Sequence, residues 1–490
     1  MISDKRKRTA LLFLACGVVI SGLLFWRYRA TPGEKPNIVL ITLDALRPDH
    51  LGCYGYSRNT SPNIDLLARE GVVFEPVIAQ GPDTLSSVPS FLTSRYPFVH
   101  RRVVGRTHVL YFDPDIISFP RVLRHNGYHT AFINNHPYSI RRMKGITRGF
   151  DSYMELEDLY PARATDRALE WIDDHKNESF FLWLYYMAPH GPYHPSLPYS
   201  DEFYREGLFK TGERRPIIDL GLPGESGNFG GIPTYVVENN IDDVDYYRAK
   251  YDGKIRVADD QVGRLVAELK RLGLYRKTIV IIMSDHGEGL GEHEDYFVHG
   301  LTLYDTALKV PMIIRDPRRL KNHPPADRQL RLLDLMPTIM EMAGIRGYSR
   351  QMEGKSMWES VPEESVRSYS YAFSNVEDGL LSVRTREWKL IHVGREAINA
   401  SQGFRSKVGD YYKNDYELYD LIKDPGEAHN LLNDPVLAAP QQAIFLELKK
   451  VLDGFERDKR SYRRLPSSSA AAPDLSREMK ERLKSIGYAQ

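Results

Sequence analysis

The apolar run Ile279 to Met283 breaks off at Ser284-Asp285-His286-Gly287-Glu288, and this junction constrains the fold more than any other stretch. A short, continuous apolar run is the pattern of a strand buried on both faces. In an open α/β sheet, ligands and chemistry collect just beyond the carboxyl ends of the strands. Asp285 and His286 stand together there, with His293 and His299 close behind, and they offer the oxygen and nitrogen donors that a divalent metal takes. Taken alone, an Asp-His pair is most simply a polar turn after a core strand. Three further junctions of the same kind argue against that reading.

Asn37 to Leu43 is a second apolar run, ending at Asp44 with Arg47, Asp49 and His50 behind it. Tyr128 to Asn134 ends near Asn134, Asn135 and His136, and Phe180 to Met187 runs into Pro189-His190-Gly191-Pro192-Tyr193-His194. Segments of helical spacing lie between them: Asn63 to Glu70, Ala164 to Asp173 and Val244 to Leu274. Alternating strands and helices predict a mainly parallel sheet whose strand ends share one edge. Beyond about residue 345 the elements shorten; Leu380 to Val393 has the pattern of a hairpin and Tyr416 to Leu421 that of another strand. The expected fold class is therefore α/β, a large mixed, mainly parallel sheet sandwiched by helices, with a smaller C-terminal α+β subdomain.

The expected division is residues 1–35 as anchor and linker, 36–345 as catalytic domain, 346–462 as a subdomain with a small antiparallel sheet, and 463–490 as linker and C-terminal helix. Within the second of these, residues 201–245 are rich in Gly, Pro and Asp and read as a substrate-side insertion. Between Asp83 and Thr93 hydroxyls crowd the start of a helix, with Pro89 tolerable only near its first turn. Capping explains one or two of them. A helix N-terminus also binds phosphate or sulfate and stabilises a deprotonated hydroxyl.

Lys and Arg number 66 against 65 Asp and Glu, a net charge of +1 that gives no electrostatic footing for nucleic acid. Two cysteines, Cys16 and Cys53, exclude a disulfide scaffold and a thiolate zinc cluster. Lys5-Arg6-Lys7-Arg8 precedes an uncharged run, Ala10 to Trp26, at the short end of what spans a bilayer. The basic flank favours a cytoplasmic N-terminus. The expectation is one N-terminal signal anchor in the membrane, with the catalytic domain outside the cytoplasm, periplasmic or extracellular. A cleaved signal and a lipoprotein signal ending at Cys16 are the alternatives.

Nine segments, in order, resemble the landmarks of the sulfatases within the alkaline-phosphatase superfamily. They are NIVLITLDALRPDHLGCYGY, TSPNIDLLAREGVVF, LTSRYP, GFDSY, YDGKIRVADDQVGRL, SDHGE, HGLTLYDTALKVPMII, LLDLMPTIMEMAGI and ELYDLIKDPGEAHNLL. The resemblance covers nearly all of residues 36–490 and implies an alkaline-phosphatase-like fold and a metal-dependent hydrolase of phosphate or sulfate esters. One signature departs. Sulfatases carry Cys-x-Pro-Ser-Arg, whose Cys or Ser becomes formylglycine, whereas counting back from LTSRYP aligns that position with Thr84. Threonine cannot become formylglycine. Ser87, with Pro89 two residues on, is the alternative nucleophile, although that register meets Phe91 where Arg belongs. A Thr nucleophile resembles the phosphoethanolamine and phosphoglycerol transferases.

The resemblance implies a divalent metal held by Asp44, Thr84, Asp285 and His286. Asp285-His286 stands where calcium-type sulfatases have Asp-Asn, and imidazole in place of oxygen favours Zn²⁺ or Mn²⁺ over Ca²⁺. His190 and His299 are the expected catalytic partners of Thr84, with ligation of a second metal as the alternative role for His299. His194 and Asn134 are placed against the substrate, and His50, His136 and His293 at surface or supporting positions. The implied partner is an anionic ester, with a lipid or glycan head group as its organic part. Three classes follow: a hydrolase, a membrane head-group transferase, and a non-catalytic relative that binds an anion.

Overall fold

The computed structural model describes residues 35–100, 110–112, 116–205, 211–219, 230–319, 329–348, 352–358, 370–373, 380–394 and 412–462. The run Ala10 to Trp26 and the expected C-terminal helix at Leu475 to Ile486 lie outside them. Among the described residues no helix is long and apolar enough to cross a membrane.

Eight strands form one sheet: β1 (Asn37–Leu43), β2 (Val72–Ile78), β3 (His129–Asn134), β4 (Ser152–Glu155), β5 (Phe180–Tyr186), β6 (Thr278–Met283), β7 (Lys309–Arg315) and β8 (Leu330–Arg331). Their spatial order is β8-β2-β7-β6-β1-β5-β3-β4. β1 pairs in parallel with β6 and with β5, and β3 in parallel with β5 and β4. β7 runs antiparallel to both of its neighbours. Every residue of β1, β5 and β6 is buried. That is why these strands show no polar alternation.

Among the described residues, six of the longer helices flank the sheet: α1 (Pro62–Arg69), α2 (Thr84–Thr93), α3 (Phe119–His125), α4 (Pro161–Asp174), α5 (Val244–Arg271) and α6 (Leu335–Met342). Successive side chains of a strand face opposite sides. Accordingly Val39, Ile41 and Leu43 of β1 join a core with residues of α1, α4 and α5, while Ile38 and Leu40 join a second core with α2, α3 and α6. α2 begins at Thr84 and continues to Thr93, so Pro89 sits in its second turn rather than its first. Ser90 Oγ donates to Ser86 O and Thr93 Oγ1 to Pro89 O, so hydroxyls supply bonds around the proline.

Register decides where the chemistry lies. Leu43 pairs with Tyr186, Thr42 with Met283 and Asn134 with Tyr185, so the residues following β1, β3, β5 and β6 emerge at one edge. Beyond the sheet, β9 (Ser370–Phe373), β10 (Leu380–Arg384), β11 (Trp388–Val393) and β12 (Tyr416–Asp420) form an antiparallel sheet in sequence order. Helix α7 (Ala439–Tyr462) packs Leu448 and Leu452 against Leu381, Leu390 and Leu418 of that sheet.

Candidate active site

The turn after β1 is made by Ala45, whose φ of +60° lies in the left-handed region. That conformation costs a non-glycine residue about 1–2 kcal/mol. Tertiary bonds hold it: Tyr251 of α5 donates to Ala45 O (2.7 Å) and accepts from Arg47 N (2.9 Å), and Ser284 Oγ accepts from Leu46 N (2.9 Å). Asp44 is left fully buried at the strand end. Its Oδ1 lies 3.2 Å from His286 Nε2 and its Oδ2 3.1 Å from His136 Nε2.

After β6, Asp285 Oδ2 accepts from Tyr185 OH (2.8 Å) and Oδ1 from His286 N (3.1 Å). His286 Nδ1 donates to Gly287 O (2.8 Å), which leaves Nε2 directed at the two carboxylates. A backbone carbonyl on one ring nitrogen is the usual device for presenting the other to a metal. Ligand atoms of Asp44, Asp285 and His286 lie within 4.8 Å of one another. Thr84, the first residue of α2, places Oγ1 3.3 Å from His286 Nε2. Asp83 caps the helix by accepting from Ser86 N (3.0 Å). Ser87 turns elsewhere, donating to Asp285 O at 2.5 Å.

The electrostatics fit a cation. Burial, with Asp285 beside it, raises the Asp44 carboxyl to about 7. Against burial, which lowers it, Asp285 and Asp44 raise His286 to about 10. Among the described residues neither Asp44 oxygen has a hydrogen bond of ordinary geometry. Buried carboxylate oxygens in that state are costly unless a cation partners them. The site therefore suits a divalent metal at Asp44, Asp285 and His286.

Histidines surround this cluster. His299 Nδ1 faces Glu288 Oε1 at 2.9 Å, and its ring centroid is 4.4 Å from His286 and 4.8 Å from His190. His190 Nδ1 donates to Gly191 O (2.6 Å), and its backbone N–H donates to Asp44 O (3.2 Å). Burial, with neighbouring histidines, holds both imidazoles well below their ordinary range. Glu288 is raised to about 7 by burial, and its Oε2 accepts from Tyr193 OH (3.0 Å).

Not every residue singled out in the sequence joins the cluster. Asn134 accepts from His136 N (3.1 Å) and donates to Tyr153 OH (3.3 Å), so its amide shapes the turn after β3. His194 is half-exposed, 3.7 Å from Glu238, and lines a cavity of about 200 Å³ with Lys254, Tyr160 and Glu157. His50 is bound to Asp252 (2.7 Å), and His293 stacks on Tyr304 at 3.6 Å. Of the surface and supporting positions expected for His136, it takes the supporting one, fully buried against Asp44. Its place just past a strand end, before Pro137, was the available signal. Sequence spacing does not single out Glu288, Tyr185 or Lys254 for the site. Lys254 donates to His190 O and to Pro192 O (3.1 Å), and burial lowers its ammonium to about 7.

The sulfatase family model matches residues 36–345, and that for the C-terminal region of N-sulphoglucosamine sulphohydrolase matches residues 291–455. An arylsulfatase of Clostridium perfringens is 27% identical over 461 residues, covering 81% of this chain and 90% of that protein. Human iduronate 2-sulfatase is 27% identical over 352 residues, 60% of this chain and 62% of its own length. Among solved structures, a chain in complex with its substrate D-glucosamine-2-N,6-O-disulfate superposes with a TM-score of 0.67 at 20% identity, covering 87% of this chain and 99% of the other. The phosphonate monoester hydrolase of Agrobacterium radiobacter gives 0.64 at 19% identity over 87% and 96%. These structures share the fold: a mixed, mainly parallel sheet between helices with an antiparallel subdomain. The family match spans more than half of the chain, and the chain belongs to the sulfatase family of sulfuric ester hydrolases.

Proposed function

We propose that this chain hydrolyses sulfate or phosphate esters with Thr84, rather than a formylglycine, as nucleophile. The observation that carries the reading is the position of Thr84 Oγ1, at the amino end of α2 and 3.3 Å from His286 Nε2, while Ser87 is bound to Asp285 O. Sulfatase family members are metal-dependent, and Asp44, Asp285, His286 and the Thr84 hydroxyl would hold the ion. The imidazole donor favours Zn²⁺ or Mn²⁺ over Ca²⁺. A divalent cation there acidifies a neighbouring hydroxyl and offsets charge on the ester's outer oxygens.

Thr84 Oγ attacks sulfur or phosphorus, the ester bond to the alcohol oxygen breaks, and Thr84 carries the sulfuryl or phosphoryl group. His299, with Nδ1 bound to the Glu288 carboxylate, presents the lone pair of Nε2. It takes the Thr84 proton and returns it to the leaving oxygen. Water then attacks the Thr84 ester and gives its proton to the same imidazole, sulfate or phosphate is freed, and the imidazole returns the proton to the departing Thr84 Oγ1. His190, neutral and with Nδ1 on Gly191 O, accepts a hydrogen bond at Nε2 from that water or from a substrate hydroxyl. The positive end of α2 adds to the stabilisation of the charge. Similar proteins are named for iduronate and glucosamine sulfates, which supports a sugar as the organic part. The run Ala10 to Trp26 supports an anchored enzyme whose domain lies outside the cytoplasm.

Initial rates on nitrophenyl sulfate, nitrophenyl phosphate and bis(nitrophenyl) phosphate test this, after chelation and reconstitution with Zn²⁺, Mn²⁺ or Ca²⁺. Thr84→Ala is expected to lower kcat about 10³-fold or more on the preferred ester, and Thr84→Ser to retain turnover. Ser87→Ala should remain active. An inactive Ser87→Ala beside an active Thr84→Ala reverses the assignment, and an acceptor alcohol captured in place of water makes the enzyme a transferase.

A further inference from the structure

We propose a second metal site, for a transition-metal dication of the Zn²⁺ class, formed by His129, His175 and Glu178 on the edge of the sheet opposite the catalytic cluster. His129 opens β3, Glu178 lies two residues before β5, and His175 closes α4. His136 and His190, beside the catalytic cluster, follow the other ends of the same two strands. Six or seven residues at about 3.3 Å each put the two sites about 20 Å apart.

One ligand atom from each of the three residues lies within 4.8 Å of the others. His129 Nε2 is 3.3 Å from Glu178 Oε2, and the two imidazole centroids are 5.7 Å apart. His175 Nδ1 donates to Trp171 O at 2.8 Å. That bond fixes the tautomer and leaves Nε2 as the lone-pair donor, the arrangement of a metal-binding histidine. Trp171 stacks on the His175 ring at 4.1 Å and sets its plane. The backbone holds the three together: His129 N donates to Ser179 O (3.0 Å), Glu178 N to His175 O (3.0 Å) and His175 N to Trp171 O (3.2 Å). Lys176, the nearest cation in sequence, pairs with Asp173 (3.0 Å) rather than with Glu178.

Two imidazoles and one carboxylate, with the remaining positions open to water, form a donor set for Zn²⁺, Cu²⁺ or Ni²⁺ and not for Ca²⁺ or Mg²⁺. A bound ion ties the end of α4 to β3 and β5 from the side away from the chemistry. The mechanism uses none of these three residues, so activity and this site are separable.

Trp171, one of five tryptophans, is the reporter, because Cu²⁺ on His175 lies beside the stacked indole. The full chain, loaded with Mn²⁺, is titrated with Cu²⁺ while tryptophan emission is followed. Quenching is expected to saturate near one equivalent, to be suppressed by prior Zn²⁺, and to vanish in Trp171→Phe. His129→Asn and Glu178→Gln, exposed positions that leave the fold intact, should each weaken binding about tenfold or more while ester turnover stays unchanged. Quenching that never saturates, that Zn²⁺ does not suppress, or that is the same in His129→Asn overturns the proposal and leaves His129–Glu178 as a surface ion pair.

Discussion

Asp44 is the residue on which the site turns, because each of its oxygens faces a different imidazole. His286 stands at Oδ1 and His136 at Oδ2, 3.2 and 3.1 Å away. With His286 among the proposed metal ligands, His136 is left the role of holding the Asp44 carboxylate in one orientation, a positioning residue rather than a ligand. Partners of this kind typically change metal affinity 10–100-fold when removed. His136→Ala is therefore expected to weaken binding of Mn²⁺ or Zn²⁺ about tenfold or more, read by competition with a chromophoric chelator, and His136→Gln to restore part of it. Unchanged affinity in His136→Ala would confine that histidine to packing.

At the scale of the element, α2 and the short helix after it carry a pH dependence. His100 ends Pro97–His100, fully enclosed, with Nε2 2.8 Å from Thr93 Oγ1. Thr93 already donates to Pro89 O, so the imidazole donates and stays neutral. Burial, with Arg95 nearby, lowers His100 to about 3. The unfolded chain binds a proton there below about 6.5 that the folded chain refuses. Stability rises with pH wherever the unfolded state holds more protons. The contribution of His100 is thus fully present above pH 6.5 and is lost progressively as pH falls from 6.5 toward about 3. His100→Gln keeps a donor and cannot titrate. Its melting temperature should fall less steeply than the wild type's across that window, and parallel curves would count against this account.

The whole molecule is joined by a buried charge cluster between the large sheet and the small one. Asp305, just before β7, accepts from Arg384 Nη2 (2.7 Å) and from Lys389 Nζ (2.9 Å), and Lys389 also reaches Glu427 Oε1 (2.8 Å). Lys389 is wholly buried although it is a lysine. Breaking such a group by removing one partner costs far more than the pair itself contributes, because the remaining charges stay desolvated. Lys389→Met is expected to lower unfolding free energy by about 3 kcal/mol or more in urea, whereas a simultaneous change of Glu427 to Gln should recover part of the loss. A double variant no better than the single one would argue that Lys389 acts alone.

Much of this was legible before any coordinates. An unbroken apolar run such as Phe180 to Met187 leaves few alternatives to a doubly buried strand, and parallel strands deliver their ends to one edge. That was enough to bring Asp44, Asp285, His286 and His190 together. Which of the Thr84 and Ser87 hydroxyls stands beside the His286 ring was not legible at the same level. Both carry hydroxyls near one helix start, and residues three apart share a helix face; only the way that face meets the turn after β6 puts Thr84 beside the His286 ring and Ser87 on the Asp285 carbonyl. Nor could spacing show that His299 is backed by Glu288, that His136 is enclosed beside Asp44, or that His129, His175 and Glu178 meet. Periodicity is a local property and reports which face of an element is buried. Whether two polar groups lie within 3 Å depends on loop paths and rotamers set by packing, and these only the tertiary structure decides.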